Sequence, residues 1–195
     1  MAKLTHDKLM SLEAYARARN TFRGKVMAHK KIRNVALGEH VTLLFEDELT
    51  MQYQVQEMLR LERIFEPELI QEELDVYNPL IPDGSNWKAT MMIEYPDVAE
   101  RQRKLAELTG IEDRVWVQAA GHDRVYAIAD EDLDRTTDEK TSAVHFMRFE
   151  LTPQMIAALK QGAGLSMGVD HPAYQATLDP VPAEVRTSLL RDLQD

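Results

Sequence analysis

Apolar residues recur along this chain with two different periods, and the switches between them mark out its elements. Leu9, Leu12, Tyr15, Ala16, Phe22, Val26 and Met27 share one face at helical spacing, predicting a helix from a cap at Thr5 or Asp7 to about Lys31. Val35-Ala36-Leu37 leads through Gly38-Glu39-His40 into an apolar strand, 41–45. From 49 to 56 the pattern supports two readings. Leu49, Met51, Tyr53 and Val55 alternate with polar residues, as the return arm of a hairpin turning at Asp47-Glu48 would. Met51, Val55, Met58, Leu59, Leu61 and Phe65 also fall on one helical arc, and Asp47 or Thr50 offers a cap. The arc is the longer signal, so a helix is expected from about Thr50 to Phe65.

The remaining segments follow in the same way. A short helix, 68–76, precedes a long loop containing the Pro82-Asp83-Gly84 turn. Ala89–Tyr95 alternates as a strand, and Asp97 opens a helix that closes at Gly110. Arg114–Ala120 and Arg124–Ala129 form a hairpin around Gly121-His122-Asp123. A strand at 141–151 is followed by a helix capped by Thr152-Pro153 and stopped at Gly162. Leu165, Met167 and Val169 alternate as a last strand, and Val185, Leu189 and Leu193 stripe a C-terminal helix. These elements predict a single α+β domain over 1–176. It would hold a mainly antiparallel sheet of about six strands, with helices packed on it and at both termini. Residues 177–195 read as a C-terminal helical extension.

Composition narrows the chemistry. The chain has no cysteine, which removes disulfides, thiol catalysis and thiolate-held metals. A net charge of −10 argues against a nucleic-acid partner. No apolar run reaches the ~20 residues of a membrane span, and the N-terminus has no secretory core, so the expected location is the cytoplasm without a membrane partner. The charge is unevenly spread. Residues 14–38 hold seven Lys/Arg and no Asp/Glu. Such a segment pairs with its own acidic body or with a second copy, which makes a homo-oligomer the expected assembly; an anion site is the alternative.

Short motifs fail on context. Gly164-Leu165-Ser166-Met167-Gly168 has the spelling of a serine-hydrolase elbow, but the pentapeptide is itself the strand and no helix follows. Asp130, Asp132 and Asp134 have calcium-loop spacing, yet Arg135 stands where the loop requires glycine. What survives is dispersed. Glu62 falls in the middle of the apolar arc of 50–65, where a carboxylate must be paired, cation-bound or protonated. Glu57, Glu62, Glu94, His145 and His171 are the available ligands for a divalent metal. Arg19, Arg23, Lys30, Arg60 and Arg148 are the available partners, either for those acids or for a bound anion. Arg19 or Arg23 beside Glu62 would mean scaffold; His145 or Glu94 beside it would mean a site. Scaffold is the expectation.

Several uncommon strings recur in order: Leu44-Phe45-Glu46-Asp47, Tyr53-Gln54-Val55-Gln56-Glu57-Met58-Leu59-Arg60, Tyr77-Asn78-Pro79-Leu80-Ile81-Pro82, Ala89-Thr90 with Ile93-Glu94, Gly110-Ile111-Glu112, and Val144-His145-Phe146 with Arg148-Phe149. In these the chain resembles the bacterial family catalogued as domain of unknown function 3501, over about residues 3–175. The resemblance implies no catalytic residue. It implies an accessory role in redox or iron-stress handling, beside rubrerythrin-like or iron–sulfur protein partners.

Overall fold

The computed structural model describes residues 3–133, 135–137 and 139–194. Among them are six α-helices and nine strands, every strand pairing antiparallel. The strands divide between two sheets where one was expected. The larger sheet has the order β1 (Asn34–Leu37), β2 (Val41–Glu46), β3 (Asn86–Ile93), β7 (Val144–Glu150), β6 (Ile128–Ala129). The smaller has the order β5 (Val125–Tyr126), β4 (Val115–Ala119), β8 (Leu165–His171), β9 (Tyr174–Leu178). The segment expected as one hairpin arm at 124–129 joins the two. Val125 and Tyr126 pair with Val117 and Trp116, whereas Ile128 and Ala129 pair with Arg148 and Met147.

The inner faces of both sheets make one core, in which Leu37, Leu43, Phe45, Trp87, Met91, Val117, Phe149 and Met167 are all solvent-free. Residues after 176 belong to it. Val181 and the α6 (Ala183–Leu190) residues Val185 and Leu189 are buried in this core with Leu193, and Trp87 Nε1 donates to Leu189 O at 2.9 Å. The small residues of the hydrolase-like pentapeptide have a packing reason. A Cβ on Gly168 would collide with the Trp116 ring and stand 2.5 Å from Ala176 O, so only glycine admits both.

Three helices form a second layer with its own small core: α1 (Leu12–Lys31), α2 (Glu48–Glu62) and α3 (Pro67–Tyr77). Met51, Val55 and Leu59 of α2 meet Ile70 and Leu74 of α3, with Leu4 and Ile81 closing the ends. The cap decides the 49–56 ambiguity. Asp47 accepts from Thr50 N at 3.0 Å while Thr50 Oγ1 accepts from Asp47 N at 2.9 Å, a reciprocal box that starts α2 at Glu48. Helix α1 begins later than expected, capped by Ser11, after a 3-10 turn at His6–Lys8. The intervening backbone is held open by α2: Gln56 bonds both Met10 N (2.6 Å) and Met10 O (3.2 Å). Helices α4 (Val98–Glu107) and α5 (Pro153–Lys160) complete the chain. Among the described residues no helix is long and apolar enough to cross a membrane.

Candidate functional site

The carboxylate that α2 turns toward α1 is Glu57, partly buried, and not Glu62. Tyr15 Oη donates to Glu57 Oε1 at 2.6 Å. Arg19 forks both oxygens, Nε to Oε1 at 2.7 Å and Nη2 to Oε2 at 2.8 Å, and Arg60 Nη2 adds 3.2 Å to Oε2. These four bonds use the carboxylate's accepting capacity and leave no lone pair for a metal. Glu62 is the last residue of α2, and it is exposed. The helix stops there because Arg63 turns left-handed at φ 56°, so the outer end of the expected arc lies outside the core, with Leu61 62% and Phe65 70% exposed. Arg19 therefore does pair with an α2 acid, one turn and a half before the expected one. Arg23 is exposed, and Lys30 sits 5.9 Å from the centre of the Tyr53 ring.

The Arg19 fork, helped by Tyr15 and Arg60 and opposed by burial, lowers the Glu57 pKa from its usual 4.5 to about 2. A carboxyl lowered on folding contributes stability that is present above about pH 4.5 and lost as pH falls toward 2. Glu57→Gln is expected to cost ~1–3 kcal/mol at pH 7. Urea denaturation of both proteins at pH 7 and pH 3 checks it: the gap must shrink at the lower pH.

A second cluster forms below β7. His145 is fully buried; its Nδ1 lies 2.6 Å from Asp130 Oδ2, and its Nε2 lies 2.8 Å from Thr141 Oγ1 and 3.1 Å from Ser142 O. Thr141 Oγ1 also lies 3.1 Å from Glu112 Oε2, which links the His145 ring to that carboxylate. Thr136 Oγ1 donates to the other Glu112 oxygen. Asp130 sits at φ 52°, and it also accepts from Phe146 N (3.2 Å) and Arg135 Nη1 (3.1 Å). This is a closed clasp on the turn that follows β6. Of the calcium-spaced acids, Asp130 and Asp132 are both held by Arg135, and Asp134 lies outside the described residues.

The other expected ligands stand apart. Glu94 accepts from Thr42 at 2.7 Å on the far end of the larger sheet. His171 donates from Nε2 to Thr109 O (3.2 Å) and accepts at Nδ1 from Ala173 N (3.2 Å), which occupies both nitrogens in a structural bond. The structure does not bring Glu57, Glu62, Glu94, His145 and His171 together, and among the described residues no group of three His, Asp or Glu could hold a metal ion. Arg148 is saturated too, forking Glu131 at 2.9 and 2.8 Å and reaching Glu150 at 2.6 Å.

Sequence reasoning passed over Arg33, which is buried where α1 meets β2, and its partner Asp192, which is 159 residues away. It also passed over the surface that remains open. Phe65 stands at the rim of an apolar cavity of about 440 Å³, lined by Leu9, Leu12, Leu59, Ile64 and Ile70. Exposed Glu13, Glu66 and Glu68 flank it, and exposed Arg17, Arg23 and Lys25 run along α1.

These features define an α+β protein of two antiparallel sheets and a helical layer whose polar clusters are closed on themselves. Residues 3–193 match the family described as proteins of unknown function, DUF3501, and the chain belongs to that family. The match continues past 176 to residue 193, through the segment that completes the core. Among solved structures, the chain is similar to a novel protein of unknown function from Burkholderia pseudomallei, crystallised at 1.90 Å resolution. The two are 54% identical with a TM-score of 0.94, over 99% of this chain and 100% of that one. No curated protein matches.

Proposed function

We propose that this protein is a non-catalytic accessory protein that acts through its surface as a homo-oligomer. The observation that carries the reading is Phe65, a large aromatic side chain 70% exposed at the lip of an apolar cavity. A knob and a hole side by side on one face are self-complementary under a two-fold axis, each copy's Phe65 filling the other's cavity. Charge agrees, because the acidic α3 and the basic α1 flank the same face and pair across such an axis. The partly buried acids and buried histidines support an accessory rather than a catalytic role, since Glu57, Asp130, His145 and His171 are all engaged in internal bonds. The redox or iron-stress setting, with rubrerythrin-like or iron–sulfur partners, is proposed from the family resemblance.

Sedimentation of the purified chain is expected to show a dimer at micromolar concentration. Phe65→Ser is expected to weaken it by roughly thirtyfold, the effect of losing one central aromatic anchor. Val144→Ser, at another exposed apolar residue, serves as the unaffected control. A wild-type monomer across that range, or a dimer indifferent to Phe65→Ser, overturns the interface. Affinity capture from the native cell tests the setting separately: an iron–sulfur or rubrerythrin-like protein must be retained.

A further inference from the structure

The outer face of the larger sheet carries a cation that the fold leaves unpaired. Lys88 on β3 is half-buried, and it stands opposite Glu46 on β2 and Arg148 on β7. Most of the carboxylates around it are otherwise engaged. Glu131 and Glu150 are taken by Arg148, Asp83 accepts from the Ser85 backbone, and Glu46 accepts from Thr90 through Oε1 while its buried Oε2 makes no hydrogen bond. Among the described residues no carboxylate lies within ion-pair distance of Lys88. Burial, then the neighbouring Arg148, pushes its pKa down. A half-buried ammonium without a partner is a cost that an incoming anion relieves.

The space beside it has the form of a ligand site. A cavity of about 520 Å³ lies between the end of α3 with the turn after it and the outer sheet face, within the usual size of small-molecule pockets. Tyr77, Leu80 and Phe146 give it apolar walls, and Lys88, Arg135 and Arg148 give it cationic ones. Arg135 and Arg148 keep their own acids in the lining, Asp132 and Glu131, and Asp75 adds a third carboxylate. Arg135 and Arg148 are neutralised by their own acids, so in this lining Lys88 is the cation left to meet one incoming negative charge, and Asp75 opposes a second. That balance selects a monocarboxylate over a phosphate. The aromatic and aliphatic walls select an apolar body on it.

We propose that this cavity binds a small organic monocarboxylate with an aromatic or branched apolar body, its carboxylate paired with Lys88. The assignment is independent of the oligomer proposed above. Isothermal titration with benzoate and phenylacetate is expected to show saturable binding to the intact chain, with benzyl alcohol and inorganic phosphate much weaker. Lys88→Met is expected to weaken carboxylate binding by roughly ten- to a hundredfold, the loss of one charge-assisted bond, with Lys88→Arg recovering part of it. Acylation of the wild-type protein, read by mass spectrometry, gives a measurement that does not depend on a variant folding: benzoate must protect Lys88 and leave Lys25 unprotected. Absence of saturable carboxylate binding, phosphate binding as tightly as benzoate, or benzoate binding without protection of Lys88 each overturns the assignment.

Discussion

Arg33→Met is expected to destabilise the protein by ~3–5 kcal/mol, the range for breaking one side of a buried ion pair. For a chain of this length that lowers the melting temperature by roughly 10 °C. Arg33 is 1% exposed, and it ties three distant pieces of chain together. Its Nε donates to Phe45 O at 2.8 Å and its Nη2 to Glu46 O at 3.0 Å, securing the end of β2. Nη1 reaches Ser188 Oγ at 3.2 Å, and Nη2 pairs with Asp192, securing α6. Methionine fills the volume but leaves those acceptors and a buried carboxylate without a donor. The loss must also depend on pH. Burial raises the Asp192 pKa from 3.8 to about 6, with Arg33 pulling the other way. A carboxyl raised on folding contributes stability that is full below about pH 4 and lost as pH rises through about 6. Without Arg33 the ionised form has no counter-charge, so the defect is expected to be larger at pH 8 than at pH 5. Arg33→Met combined with Asp192→Leu should recover much of the loss at pH 8 by removing the orphaned acid. Equal melting temperatures for wild type and Arg33→Met would show that the network does not hold α6.

Much of the fold is legible in the sequence because local rules settle it. Asp47 and Thr50 announce the start of α2, Thr152 and Pro153 that of α5, and the alternation of 165–169 is a strand in the structure. The strand-like alternation of 49–56 misleads for a definite reason. Gln52 and Gln56 are polar yet engaged at the contact with the preceding segment, where Gln52 donates to Lys8 O at 2.8 Å and Gln56 holds Met10. The arc that singled out Glu62 ranked the right helix and the wrong acid. Periodicity locates a face but not where a neighbour ends, and α1 covers the side holding Glu57 while the helix stops beneath Glu62. Division into two sheets leaves no local mark, since a period of two fixes which side chains point inward and not which strand lies alongside. Arg33 with Asp192, and Lys88 without a partner, are properties of packing between residues far apart in sequence.

His145→Phe is expected to cost ~2–4 kcal/mol, and its effect should be concentrated in one turn. Phenylalanine preserves the volume of a fully buried ring but cannot hydrogen-bond Asp130 or Thr141. The Asp130 side chain then keeps Phe146 N and Arg135, and its own N–H keeps Phe146 O at 2.9 Å, to hold a backbone at φ 52°, a conformation that a non-glycine residue adopts only when its surroundings enforce it. Hydrogen exchange should therefore accelerate from Asp130 through Ser142 well beyond any change in β2 or β8. Because Glu131, Asp132 and Arg135 on that turn form one wall of the Lys88 cavity, carboxylate affinity should fall in the same variant although His145 does not line the cavity. Leu43→Ala, in the main core and away from that wall, separates the two effects. It should lower stability at least as much while leaving exchange in the turn and binding at Lys88 near wild type. If His145→Phe instead leaves carboxylate affinity and exchange in that turn unchanged, the clasp is a local bond and the cavity wall is held by Arg135 and Arg148 alone.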